Sequence, residues 1–141
     1  MLPGPAAFDI NSMSYALPPA HARVLVIAGD RRYRAVAAAL LAQRGYHVAA
    51  GSRDEDVVSR AARERADVVV IDASSSLTAA ACLAARLSAL RPRVAVVAVS
   101  DEPDSGLAAL PVVSKWGEFE DLFCAIERVD GRRREVGHAV R

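Results

Sequence analysis

A doubly wound α/β fold, one parallel sheet with helices on both faces, is the class this sequence predicts. Three observations point there. Apolar β-branched runs at 23–28 (RVLVIA), 67–71 (DVVVI) and 93–99 (RVAVVAV) read as strands buried on both faces. Stretches of helical period alternate with these runs, the pattern that calls for parallel strands joined by right-handed crossovers. The length, 141 residues, suits one domain, and 52% apolar residues supply a core and exclude a disordered chain.

The elements follow in order. The first strand is Arg23 to Ala28. Residues 31–44 form a helix whose stripe is Tyr33, Val36, Ala37, Leu40 and Leu41, and Gly45 ends it. A short strand at His47 to Ala49 comes next. Ser52 with Glu55 three residues on fits a capping box and opens a helix to about Arg65. Asp67 to Ile71 is the third strand, with Asp72 terminating it. One of Ser74, Ser75 and Ser76 caps a third helix carrying Leu77, Ala80, Ala84, Leu87 and Leu90, closed by Pro92. Arg93 to Val99 is the fourth strand, ending at Ser100, and Pro111 to Ser114 the fifth, ending at Lys115. The last helix runs from about Glu118 to Arg128, with Phe119, Leu122, Phe123 and Ile126 as its buried stripe. This places the folded domain at 23–129. Residues 1–22, rich in Pro with Asp9 their only charge, read as a flexible extension. Residues 130–141, with Gly131, Gly137 and the run Arg132-Arg133-Arg134, read as a basic flexible tail.

Composition narrows the function classes. The 18 basic residues nearly balance 17 acidic ones, so no excess charge calls for nucleic acid or a membrane surface. No signal peptide is present, and no stretch reaches the roughly 18 apolar residues of a membrane helix. Cys82 and Cys124 are too few for a disulfide framework and lack metal-ligand spacing, which predicts a reducing, cytoplasmic location. His21, His47 and His138 are scattered, without triad or ligand spacing. Neither a G-x-G-x-x-G turn nor a P-loop follows a strand.

In sheets of this kind, ligands and chemistry sit beyond the carboxyl ends of the strands. That rule nominates Ala28-Gly29-Asp30, Asp72, Ser100 and Lys115. A carboxylate, a hydroxyl and an ammonium at neighbouring strand ends suit phosphoryl transfer: the carboxylate as nucleophile, the hydroxyl and ammonium on phosphoryl oxygens. One compositional fact sharpens this. The basic residues are all Arg except Lys115, so the sole compact ammonium stands at this position.

On these residues the chain resembles a response-regulator receiver domain of two-component signalling, over about residues 23–129. That family carries an Asp phosphoacceptor after the third strand, Ser or Thr after the fourth and Lys after the fifth. Asp72, Ser100 and Lys115 match in order and position, and GYHV from Gly45 is similar to the family's entry into its second strand. The resemblance implies a flavodoxin-like five-stranded sheet in the order 2-1-3-4-5. It also implies a protein partner (a histidine kinase or an output protein), a possible homodimer, and Mg²⁺ beside the phosphoacceptor.

Three departures mark the member as atypical. The family's acidic pair after the first strand is replaced by Ala28 and Gly29, with Asp30 one residue late and read as a helix N-cap. Metal ligands then reduce to Asp72, Asp30 and the Ser74 backbone, a set that predicts poor Mg²⁺ binding. The loop Asp72-Ala73-Ser74-Ser75-Ser76-Leu77 lacks the family's Pro and Gly. Between Ser100 and Pro111 only ten residues remain, so the helix joining the fourth and fifth strands is shortened or absent. Trp116 stands where the family usually has Pro; packing under the short loop is the favoured expectation, and exposure as a partner anchor the other.

The expectation is a regulatory, non-enzymatic receiver module with weak or no Mg²⁺-dependent aspartyl phosphorylation, acting through protein or small-ligand contacts. The alternative is a conventional phosphoacceptor, with Asp30 drawn into the metal site or with a DNA-binding transcriptional output domain outside this chain. The dozen residues after Arg128 are too few for such a domain, so direct DNA binding by this chain is not expected.

Overall fold

Five parallel strands run through a computed structural model that describes residues 22–52, 56–102 and 110–139. They are β1 (Arg23–Ile27), β2 (His47–Gly51), β3 (Val68–Asp72), β4 (Ala95–Ser100) and β5 (Val112–Ser114), in the sheet order β2-β1-β3-β4-β5. Four helices lie among the described residues: α1 (Arg31–Gln43), α2 (Val57–Glu64), α3 (Leu77–Ser88) and α4 (Phe119–Ala139). This is the flavodoxin-like order 2-1-3-4-5. The expected N-terminal extension, and most of the segment expected to lack a full helix, lie outside the described residues.

Strand periodicity explains the two-sided core. Val24 pairs with Val68 and Leu25 with Val69, and β3 continues the register into β4 through Val69↔Val96 and Val70↔Val97. Successive side chains point to opposite faces. Val24, Val26, Val68, Val70, Val97 and Val99 therefore meet Tyr33, Ala37 and Leu41 of α1 and Leu122, Phe123 and Ile126 of α4. Leu25, Ile27, Val69, Ile71, Val96 and Ala98 meet α2 and α3 through Val57, Ala61, Ala80 and Leu87. Full burial of each such Val, Leu or Ile contributes about 1.5–3 kcal/mol relative to exposure, which is why near-continuous apolar runs persist in the central strands.

Caps set the helix starts. Asp30 accepts from the Tyr33 amide at 3.1 Å, and Ser76 from the Ala79 amide at 3.0 Å. The expected Ser52 cap is corrected. Strand β2 runs on to Gly51, leaving Ser52 in the loop, and α2 is capped by Asp56. That carboxylate accepts both the amide (3.2 Å) and the hydroxyl (2.8 Å) of Ser59, satisfying two donors at once.

The C-terminal region is corrected too. The last helix does not end near Arg128, because α4 continues to Ala139 through residues read as a flexible tail. Asp130 is buried and accepts Nε and Nη2 of Arg133 at 3.2 and 3.1 Å. Arg133 also pairs at 3.2 Å with Asp67, whose other oxygen accepts the Arg23 amide at 2.9 Å. The arginine run thus anchors the helix to the start of β1 and β3. Gly131 lies inside this helix, and a Cβ there would meet nothing within 4 Å. Gly131→Ala is expected to raise unfolding free energy by about 0.5–1 kcal/mol, from helix propensity alone; a chemical denaturation midpoint that does not move would show this turn to be frayed in solution.

Candidate functional site

Four residues nominated by the strand-end rule lie at the carboxyl edge of the sheet, and three of them join. Asp72 is the last residue of β3, beside Val99 of β4. Lys115 follows β5, its amide donating to the Ser100 carbonyl at 3.0 Å, so backbone pairing fixes where its side chain starts. Gly117 completes the turn. A Cβ there would sit 3.0 Å from the Ser114 side chain, so a larger residue would push the turn off the strand end.

The Lys115 ammonium reaches Asp72 Oδ2 at 2.8 Å and Asp30 Oδ2 at 3.1 Å. The Lys115 and Asp72 side chains are 7% and 6% exposed, whereas Asp30 is 36% exposed, so the clasp is closed on one side and open to solvent on the other. Asp72 Oδ1 accepts the Ser74 amide at 3.0 Å. Asp30 uses its other oxygen to cap α1, which fixes the carboxylate that faces the lysine.

Charge states follow from these contacts. Burial pushes the Asp72 carboxyl up, but hydrogen bonds from Lys115 and Ser74 outweigh it and hold the group below the usual carboxylate range. Burial likewise pulls the Lys115 ammonium down, and its bonds to Asp72 and Asp30 overcome this and raise it. Asp30 is lowered by the Tyr33 amide first and Lys115 second. The clasp is an ion triad of one cation and two anions.

Tyr33 is the residue that sequence reasoning missed at the site, having placed it only in the α1 stripe. It is 1% exposed, and the Lys115 Nζ lies 5.6 Å from its ring centroid. Burial, with the Asp72 charge second, drives its phenol well above the ordinary tyrosine range. The available signal was its spacing: the amide of Tyr33 takes the Asp30 cap, so cap and ring arrive together. Trp116 stands edge-on to Tyr33 at 5.2 Å and 88°, while Phe119 stacks on it at 6.1 Å. Trp116 is nonetheless 49% exposed, which corrects the expectation that it packs beneath the loop.

Ser100 is buried at the same edge, but its hydroxyl accepts the Glu102 amide at 3.0 Å and shapes the loop leaving β4. Among the described residues no hydrogen bond joins that hydroxyl to Asp72 or Lys115. Ser74 enters through its N–H rather than the carbonyl nominated as a ligand. Arg34 donates to the Ala28 carbonyl at 2.7 Å, setting a cation beside the end of β1.

These residues fit Mg²⁺ poorly. Among the described residues two carboxylates supply the anionic donors, both are bonded to one ammonium, and a guanidinium occupies the neighbouring strand end. Among the described residues no group of three or more His, Cys, Asp or Glu is placed to hold a metal ion. No protein-family model matches the chain, and no curated protein sequence matches it. No helix among the described residues is long and apolar enough to cross a membrane.

Proposed function

We propose that this chain is an atypical receiver-type signalling module, in which the Lys115 ammonium takes the place of Mg²⁺ as the charge partner of Asp72. The observation that carries this reading is the clasp: one ammonium 2.8 Å from Asp72 and 3.1 Å from Asp30, at the carboxyl ends of β3 and β1. A nucleophilic carboxylate needs a free oxygen facing the phosphoryl donor and a cation to neutralise the charge that develops. Here Oδ2 of Asp72 is bonded to Lys115, and Oδ1 accepts the Ser74 amide. Each oxygen thus already has one donor in the ground state, which stabilises the carboxylate and lowers its nucleophilicity toward a phosphoryl donor.

The module then works by contact with another protein rather than by turnover. The cavity of about 530 Å³ beside α3, β4 and α4 is lined by none of Asp30, Asp72, Ser100 or Lys115, so that cavity is separate from the clasp. A signalling partner, kinase or output protein, is the class this reading calls for.

Incubation with acetyl phosphate and Mg²⁺, followed by intact mass, tests it. Little or no phosphate addition is expected over the time in which a competent receiver is fully modified. Rapid stoichiometric addition, lost in Asp72→Asn, would make the chain a conventional phosphoacceptor and overturn the proposal.

A further inference from the structure

Trp116 is the exposed large hydrophobic side chain among the described residues, 49% accessible where the other described large apolar groups are at least partly covered. Its environment is specific. One edge meets the buried Tyr33 ring at 5.2 Å, and the Arg32 guanidinium lies 6.0 Å from its centroid. Arg31 and Arg32 are both exposed at the start of α1. Neither makes an ion pair among the described residues, in contrast to Arg44, Arg60 and Arg133, which are all paired. Among the described residues the acidic groups nearby do not neutralise them. Asp30 is bound to Lys115 and to the α1 cap, and Glu118, two residues beyond Trp116, forms no ion pair with either arginine.

We infer that Trp116, Arg31 and Arg32 form a docking surface for an acidic segment of a partner protein, one that sets an apolar or aromatic side chain against the indole and carboxylates against the two guanidiniums. Three physical points select this occupant. Trp and Arg are, with Tyr, the side chains most enriched at energetic centres of interfaces, Trp as a large rigid ring and Arg as a planar donor fork for carboxylates. The indole is already held by Tyr33, so little ordering remains to be done on binding. The two unpaired guanidiniums fix the sign of the partner: a basic segment would be repelled and an acidic one steered. A second copy of this chain fits less well where the two-fold axis runs through the patch, since Arg31 and Arg32 would then face their own copies.

The surface does not depend on whether Asp72 accepts phosphate. It is nevertheless joined to the clasp, because Lys115 precedes Trp116 in the chain and Tyr33 touches both side chains.

Selection from a random peptide display library on the immobilised full chain tests the inference, with calorimetric titration of the enriched peptides. Enriched sequences should combine an aromatic or large apolar residue with two or more Asp or Glu. Their affinity should fall at least tenfold in Trp116→Ala and in the double variant Arg31→Glu/Arg32→Glu, and fall as salt rises. Both variants alter exposed groups outside the clasp, and circular dichroism reports whether they stay folded. Enrichment of basic or neutral peptides, no enrichment, or binding indifferent to these changes would overturn it. Acetyl phosphate labelling is unaffected by any of these outcomes, so failure here is separable from failure of the receiver reading.

Discussion

Lys115→Met should cost about 3 kcal/mol of unfolding free energy at neutral pH, the lower end of what removing one partner of a buried ion pair costs. Methionine keeps most of the side chain's volume, so the loss is electrostatic rather than a cavity. Asp72 would remain at a buried position with its main counter-charge gone. The lower end is chosen because the Ser74 amide still bonds to its other oxygen. The pH dependence identifies the cause. In the wild type the Asp72 carboxyl lies below its ordinary value, so its contribution is present above the unfolded pKa and is lost as pH falls through the lower folded one. In the variant, burial without the ammonium raises that pKa, so acidification neutralises the stranded charge and relieves the penalty. The stability difference between the two proteins should therefore narrow as pH falls from 7 toward 4. Asp72→Asn combined with Lys115→Met should recover part of the loss, since no buried charge is then left unpaired. Urea titrations across that range decide the matter: a pH-independent difference, or none, would show that solvent already screens the pair.

Much of this architecture was legible because single elements carry unambiguous periods. The valine runs of β3 and β4 are near-continuous because both faces are covered, and the i, i+3, i+4 stripe of α4 begins where the sequence places it. The strand-end rule brought Asp30, Asp72, Ser100 and Lys115 to one edge, and the structure joins three of them. What the sequence concealed depends on contacts distant along the chain. Asp30 reads as a cap and is one, but its second oxygen serves Lys115, 85 positions away in the numbering. Gly131 and three successive arginines imitate a fraying end, whereas Arg133 pairs with Asp67, just before β3, and ties that stretch to the body. Trp116 looks like core by composition and is half outside, because Tyr33 already fills the space beneath it.

Tyr33→Ala should destabilise the fold by about 3–4 kcal/mol, within the range for truncating a buried aromatic. It should also loosen the clasp and the Trp116 surface together. The ring is 1% exposed, packs in the α1–α4 side of the core, and supports Lys115 on one side and Trp116 on another. Its removal opens a cavity directly under the strand ends, where the ammonium would gain access to water. Solvent would then weaken the Lys115–Asp72 attraction, because a charge pair is worth several-fold less in a wetter environment. Trp116 would lose its edge-on neighbour, and its fluorescence, unambiguous in a chain with one Trp, should shift to the red. Tyr33→Phe separates the ring from the phenol. Retaining the packing, it should stay within about 1 kcal/mol of wild type and leave the Trp116 emission in place. The comparison decides between two accounts of the site. If Tyr33→Phe is as damaging as Tyr33→Ala, the hydroxyl is the essential group. If Tyr33→Ala alone shifts the indole and narrows the pH-dependent gap between Lys115→Met and its parent, the aromatic face is what ties the buried ion triad to the exposed surface.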